Sequence, residues 1–276
     1  MRKMNLGTIS TPSAYRLPPI SFTCSELTDL TTGISSKGNQ KKYRTVDGRF
    51  YVKELFNYDG KMWRDDLVEV IASTYAGMCH LPTGVHVVKQ GLCDIDGRLA
   101  SYSESFLRDG FEFIPYRRAR KVLLSEDGQL CGTCDEIAEQ IIAECSDILG
   151  GSARDLIHAM FFLDYVVCNE DRHLNNFGFL CGTDGSIEFC PLFDFGLGLF
   201  ECGSEYDGNK ENMCFPTIRL KPCWLPQTQL IEYLLDNSAI LSMPPKWLCL
   251  QDFQFPSDLA KNYFVWANER LGVKIV

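Results

Sequence analysis

The apolar positions change period part-way along the chain. In "RFYVKEL" (49–55) they alternate with polar ones, which puts Tyr51, Lys53 and Leu55 on one face of a strand and Phe50 and Val52 on the other. "DDLVEVIASTYAGM" (65–78) has helical spacing, acids in its first turn and Gly77 near its end, and predicts a helix. "GVHVVKQ" (84–90) and "LASYSESFL" (99–107) predict two further strands. From about residue 110 the period turns helical. "CDEIAEQIIAECSDIL" (134–149) and "SARDLIHAMFFLDYVV" (152–167) predict helices, the second with Ser152 and Asp155 spaced as a capping box. "GFL" and "IEFCPLF" flank the turn signal "GTDGS" (182–186) and predict a hairpin. Helices near 226–236 and 256–272 close the chain. The pattern predicts an α+β protein with a strand-rich part over 1–108 and a helix-rich part over 109–276.

Composition narrows the class. An apolar share of 45% suits a globular chain with a proper core. The 36 acidic and 27 basic residues leave a net charge of −9, which argues against a broad nucleic-acid surface. "KGNQKKYR" (37–44) is a local basic run, and such runs are ordinarily solvated loops. The most apolar stretch, "LIHAMFFLDYVV" (156–167), contains Asp164 and falls short of the ~20 residues a bilayer span needs, so it is expected in the core. The N-terminus lacks an apolar segment of signal-peptide length, so the 13 cysteines are expected as reduced thiols in a cytoplasmic protein. "CGTC" (Cys131, Cys134) is a lone CxxC without the second ligand pair that zinc requires.

The polar residues between apolar runs carry the chemistry. "CNEDRHLNNFGFL" (168–180) places Asp171 after a helix and Asn176 five positions on, at the foot of the predicted hairpin. Asp194, in "PLFDFG", stands at its far end. A tight hairpin brings these oxygens to one pocket, suited to Mg²⁺, which takes one or two protein oxygens beside phosphate and water. Phosphoryl transfer needs such a metal site, a cation for the nucleotide phosphates and a base for the attacking hydroxyl. Asn176 and Asp194 suit the metal. Asp171 suits the base, since DxxxxN is the spacing of kinase catalytic loops. Lys53 suits the phosphates, held by Glu69 of the following helix, with Asp66 the weaker candidate for that partner. Taken singly, each residue is more often an ordinary surface charge or turn residue. Their order along one chain points to a kinase. His173 is given no proton-transfer role.

"NEDRHLNNFG" (169–178) followed by "PLFDFG" (191–196) resembles the HipA-like bacterial serine/threonine kinases, from about residue 30 to the C-terminal helices. The resemblance implies a bilobal protein-kinase-like fold, ATP and Mg²⁺ as cofactors, and a protein substrate. It implies Asp171 as the catalytic residue, Asn176 and Asp194 as magnesium ligands, and Lys53 on the nucleotide phosphates. "SSKGNQKK" (35–42) fits that family's loop pattern S-x-x-G-x-Q-x-K through Ser35, Gly38, Gln40 and Lys42. In the family this loop covers the ATP phosphates, and its serine, here Ser35 or Ser36, can be autophosphorylated. A phosphoserine there would repel bound nucleotide. Adenine is expected near "SESFL", lined by Phe106 and Leu107. The family's toxins carry an extra N-terminal subdomain, for which 276 residues leave little room. A short, kinase-core-only member is therefore expected, with an antitoxin-like regulator carried over only as far as the remaining part could bind one. No membrane or nucleic-acid partner is expected. The alternatives are a lipid kinase like those of phosphatidylinositol and a catalytically inactive kinase-fold binding module.

Overall fold

A computed structural model describes residues 20–30, 40–55, 57–58, 61–126, 130–200, 219–220, 225–236 and 238–276. The strands up to residue 189, in chain order, are β1 (Ile20–Phe22), β2 (Leu27–Asp29), β3 (Lys42–Thr45), β4 (Phe50–Glu54), β5 (Asn57–Tyr58), β6 (Lys61–Met62), β7 (Gln90–Ile95), β8 (Arg98–Glu104), β9 (Phe111–Pro115), β10 (Gly178–Gly182) and β11 (Ile187–Phe189); four two-residue strands follow among the described residues. The helices are α1 (Asp65–Met78), α2 (Tyr116–Leu123), α3 (Cys134–Leu149), α4 (Arg154–Val166), α5 (Gln227–Asp236) and α6 (Asp258–Arg270).

Six strands form one sheet in the order β1-β7-β8-β4-β3-β2, antiparallel except where β1 joins β7. Alternation sets its faces. Val52, on the face opposite Lys53, is fully buried with Phe22, Cys93, Ile95, Ala100 and Tyr102, and Phe50 packs on them edge-on to Tyr102. This small cluster is separate from the main core. The main core is built around α4, buried at every position from Ile157 to Val166, as an apolar run without a polar face must be. The helix α1 belongs to this larger core as well: Tyr75 packs against Phe162 and Phe264, and its hydroxyl donates to Asn268 Oδ1 at 2.7 Å. So α1 spans from the small sheet to the helical body. No helix among the described residues is long and apolar enough to cross a membrane.

Three local expectations need correction. "GVHVVKQ" is not a strand. The ladder starts at Gln90, and the preceding residues instead dock on the segment just after β11, with Val88 N–H donating to Leu192 O and Leu192 N–H to His86 O. The region after residue 110 does not turn directly helical, because Phe111–Pro115 pairs antiparallel with β10 and completes the three-stranded sheet β11-β10-β9. Ser152 does not cap α4. Its first turn starts from Ala153, whose N–H is taken by Ser146 Oγ at 3.0 Å, so the chain enters the helix one residue later. A capping box does occur on α3, where Thr133 and Glu136 exchange bonds and Gly150, at φ 69°, ends the helix.

A buried ion pair fastens α2 to α3. Arg120 donates to Glu144 at 2.6 Å, Tyr116 Oη donates to the same carboxylate, and Gln140 adds a third bond. Burial pushes the Glu144 carboxyl up, but these donors outweigh it and hold its pKa below the ordinary value. A carboxylate with a depressed folded-state pKa contributes its stability above the unfolded value and loses it as pH falls through the folded one. Glu144→Gln should therefore melt with a shallower loss of Tm than wild type on acidification from neutral pH to about pH 3. Thermal melts across that range check this.

Candidate active site

The site forms where four segments meet: β4, the start of α1, the loop 168–177 and the far end of the β10–β11 hairpin. The register of β4 against β3 sets Lys42 opposite Lys53. From β4, the Lys53 amine lies 3.5 Å from Glu69 Oε1 and 3.8 Å from Asp194 Oδ1. Burial pulls the Lys53 pKa down, but Glu69, Asp194 and Asp65 outweigh it and hold the ammonium above its usual range. Burial, helped by repulsion from Lys53, pulls the Lys42 pKa down.

Glu69, buried on α1, joins the two sides of the site. Its Oε2 accepts the backbone N–H of Phe195 at 3.1 Å and the Gln90 amide at 3.1 Å, while Oε1 faces Lys53. One carboxylate thus ties the strand lysine to the residue after Asp194. Gly196 lets α1 come this close: a Cβ there would stand 3.2 Å from Asp65 Cβ and 3.4 Å from Glu69 Oε1. Asp66, the weaker candidate for the lysine partner, is instead bound by Arg64 through two bonds of 2.9 Å.

The loop 168–177 is held from inside. Cys168 turns it at φ 47°. Asn169 bonds Asp164 Oδ1 and accepts the N–H of Asp171 at 3.1 Å. Asn176 donates its side-chain amide to Asp171 O at 3.1 Å. The donor end of that amide is thereby occupied, and its oxygen is the end left to accept. Asp194 sits at φ 62°, a left-handed conformation that costs a non-glycine residue roughly 1–2 kcal/mol and that Asp tolerates better than most. Such strain clusters at functional sites.

The residue that assembles these parts is one that the sequence reading passed over. Arg172 is fully buried. Its Nε and Nη2 clasp Asp164 of α4 at 3.0–3.2 Å, and its Nη1 donates to Asn176 O at 2.6 Å and to Phe193 O at 2.7 Å. One guanidinium therefore locks the loop bearing Asp171 and Asn176 to the residue before Asp194. Its plane also lies 4.7 Å over the Phe195 ring. A signal was present: Asp164 is a lone acid in an apolar run, and a buried acid requires a partner.

Ser35, Ser36 and Gly38 lie outside the described residues. The segment's exit is described. Gln40 Nε2 donates to Glu54 O at 2.9 Å and to Asp65 Oδ2 at 3.0 Å, tying residue 40 both to β4 and to the first residue of α1. Burial holds the Asp65 pKa up, against Lys53 and Gln40. Asp65→Ala should cost about 1–2 kcal/mol, and Asp65→Asn, which keeps an acceptor for Gln40, clearly less; denaturant unfolding separates the two. Phe106 stacks on Phe193 at 5.3 Å, and Phe113 meets both rings edge-on, so the segment after β8 rests on the residue before Asp194. Leu107 is exposed.

The fold is a mixed α/β, bilobal kinase-like one, and the strand lysine, helix glutamate and hairpin aspartate meet at one junction. Among solved structures, the fold is that of the Helicobacter pylori proinflammatory kinase CtkA, with a TM-score of 0.58 at 15% identity over 92% of this chain and 94% of that one. The Shewanella oneidensis HipA, solved with HipB and operator DNA, aligns over 90% of this chain and 62% of its own, with a TM-score of 0.39 and 13% identity. No family model and no curated protein sequence matches the chain.

Proposed function

We propose that the chain is a serine/threonine protein kinase that transfers the γ-phosphoryl group of ATP to a protein hydroxyl. The observation that carries this is the double role of Glu69, which holds the Lys53 amine at 3.5 Å and the N–H of Phe195 at 3.1 Å, with Asp194 at 3.8 Å from the same amine. Phosphoryl transfer asks a protein chiefly for position and charge, and this arrangement supplies both.

The donor set fits Mg²⁺. Among the described residues no group of three His, Cys, Asp or Glu side chains is gathered to hold a metal unaided. Asn176 and Asp194 offer two oxygens, the number that Mg²⁺ accepts when phosphates and water provide the rest. Bound there, the ion neutralises the phosphate charge. Lys53 would bind the nucleotide phosphates. Asp171 would accept the proton of the acceptor hydroxyl as its oxygen bonds to the γ-phosphorus and the bond to the ADP oxygen breaks. Gln40 and Lys42, at the exit of the 31–39 segment, would position the phosphate-covering loop. Phe106 and Leu107 would line the adenine end. The reading extends to autophosphorylation of Ser35 or Ser36 and to restraint by an antitoxin-like regulator.

The test is ATP binding with and without Mg²⁺, followed by transfer of labelled phosphate to a serine-rich protein and mass spectrometry of the chain itself. Mg²⁺-dependent binding and label on serine are expected. Binding without transfer to any protein, itself included, would assign the fold a scaffold role instead. Absence of phosphate at Ser35 and Ser36, with transfer intact, would remove autophosphorylation alone.

A further inference from the structure

The helix α2 carries a charge opposite in sign to the whole. Its sequence, "YRRARKVL", holds four basic residues and no acid, in a chain of net charge −9. Its inner face is Tyr116, Ala119 and Arg120, all buried, with Arg120 neutralised by Glu144. At 100° per residue, Arg117, Lys121, Arg118 and Val122 fall within about 140° on the opposite side, and all four are exposed. Arg118 pairs with Glu112 at 2.8 Å, but both side chains are more than half exposed, and such a pair exchanges readily with a competing carboxylate. At the helix end Val122 and Leu123 are 61% and 43% exposed, an apolar step beside the cations.

The position of this stripe gives it a use. The first turn of α2 is bonded to the loop that bears Asp171: Tyr116 N–H donates to Phe177 O and Arg117 N–H to Leu174 O, both at 2.9 Å. Leu174 is three residues beyond Asp171, and three residues span at most ~11 Å even when fully extended. The start of the α2 stripe is therefore within reach of a residue about three positions from a hydroxyl presented to Asp171.

We propose that the exposed face of α2, Arg117, Arg118, Lys121 and Val122, docks an acidic segment of the protein substrate that flanks the phosphorylated hydroxyl. This rests on the kinase reading and narrows its substrate class. A short acidic peptide meets the local cations within one Debye length, ~8–10 Å in physiological salt, while the protein's overall negative charge opposes a long polyanion such as nucleic acid. The apolar step at Val122 and Leu123 fits a peptide side chain and gives a phosphodiester nothing to bind. The acids nearest in sequence, Glu112 and Glu126, flank the stripe and set its limits.

The experiment measures binding without nucleotide. Fluorescein-labelled peptides of one length carry a central serine and a leucine, with either glutamates or lysines three to five positions away. Anisotropy is read against wild type and against Arg117→Glu with Lys121→Glu, both at exposed positions, with melting to confirm the fold. Wild type is expected to bind the Glu peptide at least tenfold tighter than the Lys peptide, more weakly as salt rises, and the charge reversal should invert the preference. Equal binding of both peptides by wild type overturns the proposal. So does Glu-peptide affinity unchanged by the reversal, or a single-stranded oligonucleotide that binds tighter and displaces the peptide. Because no ATP is present, a failure of phosphate transfer counts against the kinase reading alone, and a failure of the charge reversal against the docking surface alone.

Discussion

Asp171→Asn should leave Mg²⁺-dependent ATP affinity within about threefold of wild type and lower phosphate transfer by about 10²–10⁴-fold, the usual contribution of a positioned general base. Separation of binding from turnover is expected because the substitution keeps the shape of the loop. Backbone bonds hold the loop at residue 171: its N–H to Asn169 Oδ1, and its carbonyl to the N–H of His173 and the amide of Asn176. The side chain is partly exposed, with His173 Nε2 4.0 Å from its Oδ2, and Asn keeps its size there. Equilibrium binding with a fluorescent nucleotide and single-turnover transfer rates measure the two effects. An equal loss in both would mean that residue 171 shapes the site and does not act on the hydroxyl.

Arg172→Met should destabilise the fold by about 3–5 kcal/mol, the cost of leaving one buried charge without its partner. At a few degrees per kcal/mol for a chain of this size, Tm should fall by roughly 10 °C. The loss has two origins. Asp164 would lose its counter-charge in the core, with only Asn169 left to bond its side chain, and the carbonyls of Asn176 and Phe193 would both lose this donor. These origins can be separated. Adding Asp164→Leu to Arg172→Met removes the stranded carboxylate and should recover part of the stability. It should not restore phosphate transfer, since the two carbonyls remain untied and the loop and hairpin are free to part. Full recovery of both would reduce Arg172 to a counter-charge. Melting and transfer rates on the single and double variants decide it.

The candidate residues were legible because their chemistry is local. Lys53 alternates with Val52 in a strand, and that period alone puts the two on opposite faces. The hairpin around "GTDGS" was legible for the same reason: Gly185, at φ 86°, and Asp184, which bonds Ser186, form the turn from within. Strand β9 was not. Five residues after a turn carry little periodic signal, and Phe111–Pro115 becomes a strand through its pairing with β10. "GVHVVKQ" failed in the opposite sense. Its apolar residues have strand propensity, but His86 and Val88 spend their backbone groups on Leu192.

By itself the sequence determined which side chains could do phosphoryl chemistry and the order in which they occur, since residue type and short-range period depend only on neighbours along the chain. Between Glu69, which the sequence favoured as the partner of Lys53, and Asp66, the weaker candidate, the tertiary structure supplies the contact: Glu69 meets Lys53, and Arg64 holds Asp66. The tertiary structure alone decided that Arg172 binds the loop to the hairpin, a link between carbonyls of residues 176 and 193 that no local pattern encodes. The physical reason is the same in both cases: a buried charge goes to whichever partner the packed core brings within bonding distance, and that is a property of the whole fold.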